Sequence, residues 1–247
     1  MKKPYRLVVF DWEGTLGDTL GHVLSTLDVE ARRLHFGDLD VPLARRYVML
    51  GLVNVIKKLF PDLNLYQQEQ LLQAVQRVLY TTSSDGYLFP NAKNTVQRIQ
   101  KAGMDLAIAT NRGAQSLKRA LQESGLSELF KVTRTAGQVP PKPCPQMLEE
   151  IMDVFGVNAS ETLMIGDSLT DIEMSVLAGV DAIGVDFYHQ HSADLLAAGA
   201  LQVFDDYTQL ADYLELGSLI SPIVSPEKTE PKPLGNGIPL ANARGSD

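Results

Sequence analysis

Four short stretches of the chain hold the residue types that chemistry on an anionic group would need. They are Asp11 and Glu13 in DWEGT, Thr110 and Asn111 in IATNR, Lys142 in PPKPCP, and Asp167 with Asp171 in GDSLTD. Asp11 and Asp167 are hard oxygen ligands of the kind that suit Mg²⁺, which takes one or two protein carboxylates and fills its octahedron with waters and phosphate oxygens. A carboxylate such as Asp11 can also attack a phosphoryl group, provided that a cation and an ammonium neutralise the charge it approaches. Lys142 would supply the ammonium. The Thr110 hydroxyl, with backbone N–H groups around Glu13, Gly14 and Asn111, would hold the equatorial oxygens in line. Thr15 and Asp18 are read as shaping the turn that follows.

Such groups act together only if the fold brings four distant segments to one place. RLVVF (6–10), DLAIAT (105–110), Lys131 to Thr135, TLMIG (162–166), DAIGVD (181–186) and Leu201 to Phe204 read as short, mostly apolar strands. Helices are expected over about 91–102, Ala114 to Ser124, Gln146 to Phe155, TDIEMSVLAG and SADLLAAG, several of them closed by glycine. Strands alternating with helices imply right-handed βαβ units, hence an α/β, Rossmann-like parallel sheet with helices on both faces. In such a sheet ligands bind beyond the carboxyl ends of the strands. That is where Asp11, Thr110 and Asp167 fall. Between about Asp18 and Ser84 apolar residues recur at helical spacing, with Pro42 and Pro61 as breaks, and this region reads as a small α-helical insert after the first strand.

The 247 residues have 22 Lys plus Arg against 30 Asp plus Glu, a net charge of −8, so no global field draws the chain to nucleic acid or an anionic membrane. No window approaches the roughly 18 consecutive apolar residues of a membrane span. The single cysteine, Cys144, excludes an internal disulfide framework and a cysteine-based zinc site. Its start lacks a signal-peptide apolar core, and a cytoplasmic location is expected. Residues 218–247 contain five prolines, three glycines and three charges of each sign, a composition expected to stay a flexible, charge-neutral tail.

DWEGT, Thr110, Lys142 and GDSLTD, in that order and at those strand ends, resemble the four motifs of the haloacid dehalogenase-like (HAD) hydrolase superfamily, and the likeness extends over residues 5 to about 215. The insert looks like the helical cap of its phosphoglycolate phosphatase and β-phosphoglucomutase branch, to which LFPNAKNTVQRIQKAGMDLAIATN and PPKPCPQML are also similar. The resemblance implies a core over 1–17 and 85–217, a cap over 18–84 and a tail over 218–247. It implies that Asp11 is nucleophile and Mg²⁺ ligand, that Thr110 and Lys142 bind the phosphoryl group with Gly14 and Asn111 beside them, and that Asp167 binds Mg²⁺ with Asp171 in support. Glu13 stands where the family's phosphatases mostly have an aspartate serving as general acid and then base. The functional group is kept with a longer reach; its main-chain carbonyl would still face the metal.

The implied activity is Mg²⁺-dependent hydrolysis of a small phosphorylated metabolite by a monomer or homodimer, with no nucleic-acid or membrane partner. The alternatives are a β-phosphoglucomutase-like phosphomutase using the same aspartyl-phosphate, and a low-turnover phosphoester-binding or regulatory protein in which Glu13 works poorly. Dehalogenase chemistry would not need the acidic pair around Asp167. His22, His35, His189 and His191 are expected at the surface, Cys144 as a small packed side chain, and Arg45 and Arg46 either on a solvated helix face or reaching a second anionic group of the substrate.

Overall fold

The structure, a computed structural model, describes residues 5–83 and 86–216; the expected tail lies outside them. Six strands form one parallel sheet: β1 (Leu7–Phe10), β2 (Asp105–Thr110), β3 (Val132–Thr135), β4 (Thr162–Gly166), β5 (Asp181–Val185) and β6 (Val203–Phe204), in the order β3-β2-β1-β4-β5-β6. Alternation across the pleat explains why β1 is apolar throughout. Val8 and Phe10 join Leu106, Ile108, Leu163 and Ile165 in one core, while Leu7 and Val9 join Ala107, Ala109 and Met164 in the other. On the first face lie α5 (Ala92–Lys101), α6 (Ala114–Ser124) and α10 (Tyr207–Tyr213). On the second lie α7 (Gln146–Phe155) and α8 (Leu169–Ala178); α9 (Ser192–Ala198) packs beside α8 and β5.

Phe10, the last residue of β1, pairs with both Ile108 and Ile165, within two residues of the ends of β2 and β4. This register delivers Asp11, Thr110 and Asp167 to one edge of the sheet.

The insert consists of α1 (Thr19–Arg33), α2 (Val41–Tyr47), α3 (Leu52–Leu59) and α4 (Leu65–Thr81) around an apolar cluster of their own that includes Leu24, Leu27, Ile56, Leu71 and Val75. Its two connections to the sheet are tied together: Asp18 N–H donates to Tyr87 O (2.8 Å) and Phe89 N–H to Leu16 O (3.0 Å). Tyr188, in the loop after β5, packs against both this cluster and the first core of the sheet, and its hydroxyl donates to Asp18, the N-cap of α1.

Two expectations are corrected. Pro42 does not break a helix but sits in the first turn of α2 behind the Asp40 cap, where its missing N–H costs nothing. The last strand is shorter than the expected Leu201 to Phe204, and it is followed by α10, a helix not among those expected.

Candidate active site

The loop after β1 turns sharply because Leu16 and Gly17 both donate their N–H to Trp12 O, at 2.9 and 2.7 Å. Gly14 is required twice over in this turn. Its φ of +76° favours glycine, and a Cβ there would run into the Asp167 carboxylate. Its N–H donates to Gly17 O (3.0 Å) within the turn, and the missing side chain leaves room for Asp167.

The structure gathers Asp11, Asp167 and Asp171 so that one carboxylate oxygen of each lies within 4.8 Å of the others, and among the described residues this is the one such cluster of His, Cys, Asp and Glu. Lys142 is wedged into it, with Nζ 2.7 Å from Asp11 Oδ1 and 2.5 Å from Asp171 Oδ1 and its side chain almost wholly buried. Burial disfavours the ammonium, but the two carboxylates outweigh it and hold Lys142 above its ordinary range. Both Asp171 oxygens are engaged, Oδ1 by Lys142 and Oδ2 by the Ser168 hydroxyl (2.7 Å) and N–H (3.0 Å). Asp171 therefore braces Lys142 and caps α8 in the same geometry.

Asp167 accepts a hydrogen bond from the Thr15 hydroxyl at 3.0 Å. Burial, with Asp11 and Asp171 adding repulsion, pushes its carboxyl up to about 8. Asp11 rises to about 6, again mainly through burial, with Lys142 opposing. If all three acids are ionised, the cluster with its one lysine carries two net negative charges, which matches a divalent cation. Tyr207, buried beneath, donates to Thr15 O (2.8 Å); burial and then the charges of Asp167 and Asp11 keep its phenol neutral.

A crevice of about 520 Å³ opens over the cluster, lined by Asp11, Glu13, Thr110, Asn111 and Lys142 as expected from the sequence, and also by Arg112, Ser116, Ser168 and Thr170. Thr110 is buried, its hydroxyl accepting from Arg112 N–H at 3.3 Å. Asn111 has a use beyond the expected one. Its side-chain oxygen accepts from Lys142 N–H (2.8 Å) and its amide donates to Lys142 O (3.4 Å), which fixes the lysine's peptide beside the crevice.

The Glu13 side chain lies outside the acidic cluster. It is half exposed at the rim, where Arg112 Nη1 donates to its Oε2 at 3.2 Å. Arg112 was not singled out from the sequence, and no local signal distinguishes it from any arginine after a strand. Arg45 lies over the Tyr188 ring at 5.6 Å, and with Arg46 it lines a separate cavity of about 890 Å³ between α2 and the loop after β5.

Residues 8–185 match the family described as haloacid dehalogenase-like hydrolase. A phosphoglycolate phosphatase from Psychrobacter arcticus is 24% identical over 219 residues, covering 85% of this chain and 95% of that protein. One from Vibrio vulnificus is 28% identical over 216 residues, covering 84% and 95%. Among solved structures, a HAD family hydrolase from Deinococcus radiodurans with bound phosphate and sodium has a TM-score of 0.60 at 20% identity, covering 88% of this chain and 100% of that one.

Proposed function

Because the chain belongs to the haloacid dehalogenase-like hydrolase family, we propose that it hydrolyses the phosphomonoester of a small metabolite in a Mg²⁺-dependent reaction that carries the phosphoryl group transiently on Asp11. The observation that carries this reading is the ammonium of Lys142 held between Asp11 and Asp171, with a further acid, Asp167, beside them, where Asp11 and Lys142 line an open crevice. A structural ion pair would need only one carboxylate. The surplus negative charge, and an Asp167 whose carboxyl is raised to about 8, fit a divalent cation held by Asp11, Asp167 and the main chain at Glu13. Bound there, Mg²⁺ would neutralise the acids and the phosphoryl oxygens, so that one anion can approach another.

The chain's own groups account for the remaining steps. Lys142 and the Thr110 hydroxyl hold the phosphoryl oxygens so that phosphorus faces Asp11. Asp11 forms a bond to phosphorus as the bond to the leaving oxygen breaks, and that oxygen takes a proton from the Glu13 carboxyl. Water then attacks phosphorus on Asp11 and gives a proton to Glu13, which releases phosphate and restores both carboxyl groups.

The relatives named phosphoglycolate phosphatase make phosphoglycolate the first substrate to try. The test is phosphate release from a panel of small phosphoesters with Mg²⁺ and with EDTA, on the native chain and Asp11→Asn. Metal-dependent release that Asp11→Asn abolishes is expected; no metal-dependent release from any ester overturns the reading. Interconversion of sugar phosphate isomers with little free phosphate would instead support the phosphomutase alternative.

A further inference from the structure

We infer that Arg112 is the positioning residue that makes a glutamate workable at position 13. The inference rests on the reading of Glu13 as proton donor and acceptor, and concerns how this chain aims a side chain that is one methylene, about 1.5 Å, longer than the aspartate it replaces.

A glutamate at a half-exposed rim has an extra rotatable bond and, left alone, samples many orientations. Here its carboxylate meets a guanidinium that is itself held in place. Arg112 follows β2 directly and its N–H donates to Thr110 Oγ1 (3.3 Å). Its Nε donates to Ser116 Oγ at 2.7 Å, in the first turn of α6, an 11-residue helix packed on the sheet through Leu117, Ala120 and Leu121. Nη1 then points to Glu13 Oε2 at 3.2 Å. The Arg112 side chain is mostly buried while Glu13 is half exposed, so the arginine is the fixed partner and the glutamate the one being oriented.

The planar fork allows this because Nε and Nη1 lie on a rigid frame: one nitrogen reads Ser116 while the other presents to a carboxylate. A lysine at 112 would keep the charge but could not make both contacts along one plane. All three side chains line the crevice above Asp11, so the orientation matters at the reacting centre. Misplacement of a reacting group by about 1 Å costs on the order of 100-fold in rate, which is the scale of error that the extra methylene would introduce and the arginine removes.

Kinetics of Mg²⁺-dependent p-nitrophenyl phosphate hydrolysis by six proteins test the inference: native, Arg112→Ala, Arg112→Lys, Ser116→Ala, Glu13→Asp, and the double variant Glu13→Asp with Arg112→Ala. Arg112→Ala should lower kcat roughly 10- to 100-fold with KM changed less than about two-fold. Arg112→Lys should recover part of that loss, and Ser116→Ala should show a smaller fall of the same kind. Once Glu13 is shortened to aspartate the guanidinium no longer reaches, so removing Arg112 from that background should change kcat less than about two-fold. Equal losses in the two backgrounds would overturn the inference, since Arg112 would then act independently of Glu13. A rise in KM with kcat kept would also overturn it and assign Arg112 to substrate binding. Absence of Mg²⁺-dependent activity in the native protein would instead remove the underlying phosphatase reading.

Discussion

Asp167→Asn should stabilise the metal-free protein at alkaline pH while abolishing its response to Mg²⁺. Asp167 is pushed from 3.8 to about 8, first by burial and then by repulsion from Asp11 and Asp171. Between those values the folded protein holds a proton that the unfolded chain has lost, so this group's contribution to stability is complete below about pH 4 and falls away as pH rises to about 8. A tenfold change in proton affinity corresponds to about 1.4 kcal/mol, which bounds the loss at about 6 kcal/mol; solvent screening of this incompletely buried carboxyl brings it to roughly 3 kcal/mol. For a domain of this size that is about 10 °C in Tm. Asparagine keeps an oxygen for the Thr15 hydroxyl and removes the charge. Thermal melts of EDTA-treated protein between pH 5 and 8.5, with and without millimolar Mg²⁺, provide the assay. The native chain should lose stability with rising pH more steeply than Asp167→Asn and regain it with Mg²⁺, most strongly at pH 8. Identical pH slopes for the two proteins, or an equal Mg²⁺ gain in both, would refute the reasoning.

Lys142→Met should abolish phosphate release and, by leaving Asp11 and Asp171 facing one another without their cation, destabilise the metal-free protein by about 3–5 kcal/mol in urea melts. Gly14→Ala should destabilise by about 2 kcal/mol or more and weaken Mg²⁺ binding measured by calorimetry, because the added methyl group meets Asp167 and the residue sits at φ +76°. Tyr188→Phe removes the hydroxyl bond to Asp18 but keeps the ring between the two apolar clusters. It should cost about 1 kcal/mol of stability and raise amide exchange at the start of α1, measured by hydrogen–deuterium exchange.

Much of the fold was legible because β1, β2 and β4 are largely buried on both faces and so read as nearly continuous apolar runs, with a polar residue at or directly after each end that the register brings to one edge. Asp11, Thr110 and Asp167 followed from that rule, whereas Lys142, in the loop between β3 and α7, was legible through its PPKPCP stretch. What stayed hidden depends on partners far apart in the chain: Asn111 clasping the Lys142 peptide across 31 positions, and Arg112 meeting Glu13 across 99. That the Gly14 N–H closes the turn onto Gly17 O is set by the path of residues 12–17, which no single residue type announces. For α10 a weak signal existed. Asp206 caps it, and Tyr207, Leu210 and Ala211 recur at helical spacing, but seven residues give too short a period to separate from a loop.

The most direct test of the account is to catch the phosphoryl group on Asp11. The protein is mixed with Mg²⁺ and a phosphoester that it hydrolyses, quenched within a turnover into borohydride, which reduces an acyl phosphate to an alcohol, and its peptides are read by mass spectrometry. The account predicts conversion of the residue 11 side chain to that of homoserine, dependent on Mg²⁺ and on substrate. Sustained phosphate release with residue 11 unmodified, or release that survives Asp11→Asn, would contradict it.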